Sequence, residues 1–417
     1  MSIPRKKYFF LVLILGTLSA IGPFSIDMYL PGFPAIAAHL HTTVAQVALS
    51  LSSFFIGISA GQLLYGPLLD RYGRKNPLYF GISLYIIASL GCAAATSVDA
   101  LIGLRFLQAL GGCAGMVAAR AMVRDIFPVS ENAKVFSLLM LVIAVSPLIA
   151  PTLGGYIAAN LDWHYIFFVL TGIGVFILVG VHFVLPESRK PDTSVSLMPK
   201  PILRSFYAVF TEPQFYTYVF TSSIASAGLY AYIAGSPAVF IQLYKATEQE
   251  YGWIFAIAAT GLIGSSQLNS VLLKWYKSEQ IIVGSLLCQS LIGVVYFTGM
   301  VQGWWNLYAA VGGIFLYLCC QGFTFPNASA LALAPFEKKA GSASALMGSI
   351  QMSLGALASA VVSYLSNQSP TALPMTGVMA ACACGGFCML MIGARVIRYK
   401  ASKSKVAEQT AEIMETV

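Results

Sequence analysis

Long apolar stretches alternate with short polar ones along the whole chain. Twelve apolar runs fall near residues 8–33, 44–68, 77–96, 99–121, 133–157, 164–185, 214–237, 251–273, 280–301, 305–327, 342–366 and 372–396. Each holds roughly 20 residues, enough for a helix to cross a ~30 Å hydrocarbon layer. The pattern predicts an all-α membrane protein with twelve transmembrane helices. One polar interval, 186–213, is longer than the rest and carries Pro186, Pro191, Pro199 and Pro201 among Glu187, Arg189, Lys190, Asp192 and Lys200. It reads as a cytoplasmic linker between an N-terminal six-helix half (1–185) and a C-terminal half (214–396), followed by a cytoplasmic tail (397–417). Two such halves, with a substrate site between them, form a known transporter plan.

Composition points the same way. Hydrophobic residues make up 58% of the chain and charged residues 10%, against about 25% charged in a soluble domain. The net charge of +8 could suggest nucleic acid, but the basic residues sit in short clusters between apolar runs. With both termini placed in the cytoplasm, 22 of the 24 Lys and Arg residues fall on that side, as the positive-inside rule expects. The two left over are Lys245, in an outer loop, and Arg105, inside a span. All eight cysteines lie in apolar runs away from the four histidines, which argues against a disulfide framework or a metal site. After Arg5-Lys6-Lys7 the start resembles a signal peptide. Its apolar run continues to about Phe33 without a small-residue cleavage site, so it reads as a retained first span.

Two intramembrane charges stand out. Asp27 is the sole carboxylate placed inside a span and Arg105 the sole base. Each lies about six residues from the outer end of its span, or ~9 Å deep. Buried ionisable groups in lipid are costly and face a cavity or a partner, so the two are expected to meet, as a proton-coupling site or as a structural ion pair. The loop Gly66-Pro67-Leu68-Leu69-Asp70-Arg71-Tyr72-Gly73-Arg74-Lys75 joins spans two and three. Its glycines permit a tight reversal, and Asp70 can pair with a base or cap a helix N-terminus. Span five holds Pro147, Pro151, Gly154 and Gly155. Prolines free backbone carbonyls and bend a helix, and small residues allow close packing.

The loop resembles the signature Gly-x-Leu-x-Asp-Arg-x-Gly-Arg-Lys of the major facilitator superfamily at every position. The stretch Asp27-Met28-Tyr29-Leu30-Pro31 with Pro34, the Arg105-x-x-Gln108 of span four, Met122-Val123-Arg124-Asp125, and Trp163-His164-Tyr165-Ile166-Phe167 resemble the Bcr/CflA branch of its drug:proton antiporters. Span five resembles the antiporter motif, with Ala150 in place of its first Gly. The resemblance implies a major facilitator fold. It also implies a latch between the halves on the cytoplasmic side, built from Gly66, Asp70, Arg71, Gly73, Arg74 and Asp125. Related multidrug antiporters carry a second acid two turns before the span-one Asp. Ser19 stands there, so Asp27 would be the main proton carrier.

A substrate cavity is expected to draw on Tyr29, Gln108, Ser226, Tyr230, Gln267, Gln321 and Gln351, since aromatics with a few amides suit amphiphilic small molecules. Interfacial aromatics and inter-helix hydrogen bonds would explain the same residues equally well. No nucleotide-binding loop, Ser/His/Asp set or metal cluster is present in the sequence, so no enzyme activity and no cofactor is expected beyond a proton gradient. The expected function is proton-coupled export of drugs or small amphiphiles by alternating access in the bacterial cytoplasmic membrane. The expected partners are a small-molecule substrate, protons and the lipid bilayer, with no nucleic acid, and the protein is expected to be a monomer. A proton symporter or a dedicated metabolite or siderophore exporter is the alternative, and a non-transporting receptor ranks below both.

Overall fold

A computed structural model describes residues 5–194, 197–336, 340–369 and 371–415; Lys338 and Lys339 of the basic pattern lie outside them. Among the described residues every regular element is helical. The helices are α1 (Arg5–Asp27), α2 (Phe33–His39), α3 (Val44–Tyr72), α4 (Lys75–Ala93), α5 (Val98–Ile126), α6 (Val129–Asn160), α7 (Trp163–Phe183), α8 (Pro199–Phe210), α9 (Pro213–Pro237), α10 (Glu248–Leu272), α11 (Ser278–Val301), α12 (Leu307–Leu333), α13 (Ala340–Gln368) and α14 (Leu373–Glu415). Twelve stretches are long and apolar enough to cross a membrane. With an even number of spans, both chain ends lie at one face, called here the termini face; the other is the far face.

Polar side chains start the helices at the far face. Thr43, Ser97, Asp162, Thr247 and Asn306 each accept a hydrogen bond from a first-turn backbone N–H of α3, α5, α7, α10 and α12. These donors have no partner within the helix, so a short oxygen-bearing residue fixes where each span begins.

Three boundaries depart from the sequence pattern. Span one is not one helix. It breaks after Asp27 into a 3-10 turn (Leu30–Gly32) and α2, because Pro31 and Pro34 cannot donate to the preceding carbonyls. Only Phe127 and Pro128 separate α5 from α6, so Arg120 and Arg124 ride on a helix instead of in a loop. The linker is not wholly irregular either, since it contains α8. Leu203, Tyr207 and Phe210 of α8 recur at i, i+4 and i+7 and are exposed, the pattern of a helix lying in a membrane interface.

The packing repeats. In the first half α3 and α4 pack on α5, α4 on α7, and α1 on α6; in the second half α10 and α11 pack on α12, α11 on α14, and α9 on α13. The halves meet along two equivalent seams, α3 with α13 and α6 with α10. At the far face the 3-10 turn also touches α9 and α10, and α2 touches the π-helical segment Ala238–Leu243. Among the described residues, neither α5 nor α12 makes an extensive contact with a helix of the opposite half. The molecule is therefore closed at the far face and parted towards the termini face.

Candidate functional site

Arg105 is fully buried. Its guanidinium donates to the Ser25 carbonyl at 2.9 Å and to Gln108 Oε1 at 2.5 Å. It also lies over the rings of Phe54 and Tyr29, at 4.3 and 4.5 Å from their centroids. Ring faces stabilise a desolvated cation. Gln108 passes the network to Ser89, Ser25 to Tyr85, and Tyr29 to Ser50. Tyr29 and Gln108 thus belong to the sealed interior of the first half and do not line an open cavity.

Asp27 does not join this network, contrary to the expected pairing. It is buried, yet no hydrogen bond or ion pair reaches its carboxylate among the described residues. The reason is helical geometry. Residues two apart on a helix point about 200° apart, so when Ser25 faces α4 and α5, Asp27 faces the opposite half. There it comes within electrostatic range of Tyr230, Tyr232 and Tyr251, on α9 and α10. Tyr232 Oη is buried without a partner, and Tyr251 bonds to Ser236 at 2.7 Å. Tyr230 closes the contact between halves, with its ring against Phe55 and over Gly355. Ser19, in place of a second acid, is buried and bonded to the Leu15 carbonyl.

The proline and glycine residues of α6 seat the break in span one. A Cβ on Gly154 would lie 2.0 Å from the Met28 carbonyl oxygen, and one on Gly155 would lie 2.4 Å from that of Glu248. Pro151 meets Gly252 of α10. One stretch of α6 therefore contacts the backbone beside Asp27 and also the opposite half. Sequence reasoning had grouped these residues by motif, without their contact to span one.

The other proposed cavity residues separate. Gln321 donates to Ser226 and accepts from Gln289, a buried network inside the second half. Gln351 is half-buried, one turn from Gly355 on the face towards α9. Gln267 is exposed on α10. A cavity of about 610 Å³ lies elsewhere, at the far face between Pro34, Thr43, Gln242 and Asn367. It holds none of the charged groups, so the chemistry points to the Asp27 region instead.

At the termini face Arg74 is buried and bridges Asp70 at 2.9 Å and Asp125 at 2.7 Å. Burial works against its charge, but the two carboxylates outweigh it and push the guanidinium above its ordinary value. Arg189 adds a second cation to Asp70 at 3.1 Å, and Ser188 donates to Asp125. Gly73 has φ +80°, a backbone region that suits glycine, which lets the Arg74 and Lys75 N–H groups reach the Glu187 carboxylate. Gly66 has open space beside it. Among the described residues, every side-chain partner of Asp70, Arg74 and Asp125 belongs to the first half or the start of the linker, so here the cluster ties α3, α4 and α5 to the linker and does not bridge the halves.

Residues 13–360 match the family model of the Major Facilitator Superfamily. The chain is 33% identical over 380 residues to a bicyclomycin resistance protein homolog of Haemophilus influenzae, covering 91% of this chain and 94% of that protein. It is 30% identical over 332 residues to the multidrug resistance protein MdtL of Escherichia coli, covering 79% and 82%. The solved structure of a D-xylose-proton symporter superposes with a TM-score of 0.73 at 13% identity, over 93% of this chain and 97% of that one. An inward-facing bacterial homolog of the lysosomal transporter Spinster gives a TM-score of 0.69 at 15% identity, over 95% and 96%. The chain belongs to the major facilitator superfamily and is a multi-pass transporter of the bacterial inner membrane, with bicyclomycin and multidrug resistance proteins among its relatives.

Proposed function

We propose that this transporter exports small amphiphilic molecules or drugs in exchange for protons, with Asp27 as the coupling carboxylate. The observation that carries the reading is the position of Asp27. It is a buried acid without a counter-charge, on the surface where the halves meet, beside a helix break held by the glycines of α6. A buried carboxylate is far more stable there when protonated than when ionised. Its proton occupancy therefore biases the contact between the halves, and any ligand or proton that favours one arrangement shifts the population towards it.

The termini face is the cytoplasmic one in this reading, supported by the Lys and Arg bias of the sequence. The arrangement closed at the far face is then the inward-facing state. The resistance proteins among the relatives support drugs as substrates and export as the direction. Arg105 acts as a positioning residue, since it fixes the Ser25 carbonyl and so the turn that presents Asp27.

The test is Asp27→Asn, which keeps the shape and removes the titration. In proteoliposomes with an imposed pH gradient, uphill export of a neutral or cationic drug should fall to the level of empty vesicles. Binding of that drug should persist and lose its dependence on pH. Uphill export that survives in Asp27→Asn would falsify the assignment. Accumulation of drug on the side towards which protons flow would mark a symporter.

A further inference from the structure

Arg120 and Arg124 have no part in the scheme above. They lie four residues apart on α5, so their side chains leave the same face of the helix. Both are exposed. The Arg120 guanidinium comes within electrostatic reach of Arg124 and of Cys113, two turns deeper on the same face of α5 and buried. Neighbouring positions show what that face looks onto. Cys113 packs against Gly61 of α3, which orients this face of α5 towards α3. On α3, Gln62 meets Gly348 of the opposite half, while one turn further on Gly66 looks into open space. The gap between the halves opens at that level, where Arg120 stands.

Neither guanidinium has a hydrogen bond or ion pair among the described residues. Asp125, next in the chain, is held by Arg74 and Ser188, and Asp70 by Arg74 and Arg189. The C-terminal end of a helix favours cations in general but gives these two no acceptor. Like charges four apart on a helix repel, and an anion between them relieves that cost. Two guanidiniums one turn apart suit the paired oxygens of a carboxylate, sulfonate or phosphate.

We propose that Arg120 and Arg124 form an anion-recognition site at the mouth of the central crevice, taking the acidic group of an amphiphile or of a lipid. As a substrate subsite it rests on the export reading, but the site itself is tested without transport.

The full-length protein is placed in phosphatidylcholine nanodiscs and titrated with two fluorescent probes of matched size, dansylglycine and its neutral amide. The wild type should bind the carboxylate more tightly. Arg120→Gln and Arg124→Gln should each weaken it about tenfold, the worth of one charge-assisted hydrogen bond, with the amide unchanged. Arg120→Lys should recover part of the loss. Equal binding of the two probes by the wild type, or equal loss of both in the variants, overturns the site. Phosphatidylglycerol nanodiscs then identify the occupant. If wild-type affinity for dansylglycine drops to that of Arg120→Gln, a lipid headgroup fills the site. If it holds, a free anion does. No gradient is imposed, so failure here is separable from failure of the Asp27 experiment.

Discussion

The two seams between the halves are equivalent by position and opposite in chemistry. Along α3 and α13 hydroxyls make the hydrogen bonds, with Gln62 seated over Gly348 beyond them. Thr43 donates to Asn367 at 2.8 Å and Ser52 to Ser359 at 2.9 Å; Ser59 reaches Ser349 Oγ, Ser349 O and Ser353 Oγ at 2.9, 3.0 and 2.8 Å. Along α6 and α10 the contacts are backbone against glycine, at Gly155 and Gly252, with no side-chain hydrogen bond across that seam among the described residues. Hydroxyls can rotate and exchange partners, and Ser59 already has three within reach. Such a seam can slide while staying bonded. A glycine seam has no partners to exchange, and it fits in one register only because no Cβ intervenes. The difference suggests that rocking turns about α3 and α13 while α6 and α10 part.

The largest effect should come from filling the glycine seam. Gly155→Ala places a methyl 2.4 Å from the Glu248 carbonyl oxygen across the seam, and the backbone must yield to accommodate it. Overpacking of this kind costs about 1–3 kcal/mol. The far face should therefore spend less time closed, by tenfold or more, and transport should fall with it. Spin-label distances between the far ends of α6 and α10 would report this. Gly103→Ala, which has open space beside it, is the control and should change nothing. Unchanged distances in Gly155→Ala would remove the distinction between the seams.

A smaller effect is expected on the hydroxyl seam. Ser59→Ala removes a hydroxyl whose partners can bond to one another. The net loss should be about 1 kcal/mol, a shift in the conformational equilibrium of roughly fivefold, without loss of transport. Abolished transport would mean that this seam is a fixed lock. The smallest effect lies off both seams. Asp162 caps α7 and binds His164 Nδ1 at 2.6 Å. Slight burial raises its proton affinity, but the His164 hydrogen bonds outweigh that and hold the carboxyl below its ordinary value. A group depressed on folding stabilises above its unfolded value, and that contribution is lost as pH falls through the folded one. Melting curves from pH 6 down to pH 3 should therefore decline more steeply in the wild type than in Asp162→Asn. The difference should be only about 1 °C, because the carboxylate is largely exposed.

By itself the sequence determined the twelve spans, the family and the identity of the two intramembrane charges. Each rests on information local to a segment: apolar length, a contiguous motif, or a charge where lipid forbids one. The motif from Gly66 to Lys75 was legible for the same reason, but only Gly73, at positive φ, and Arg74 lie between helices, since α3 runs through Gly66 to Tyr72. Which residues face each other was not legible. Depth along two helices placed Asp27 and Arg105 at one level and implied a pair, but rotation about the helix axis sets direction, and a break after Asp27 with Ser25 turned inward separates them. Tyr29, Gln108, Ser226 and Gln321 read as cavity polars because composition does not distinguish an amide that lines a cavity from one that bonds its neighbour. Arg120 and Arg124 counted only towards the cytoplasmic bias of Lys and Arg, which does not show that they share one face of α5. Only packing decided these points, since a buried polar group takes whichever partner the neighbouring helices bring within about 3 Å, and those helices are far away in the chain.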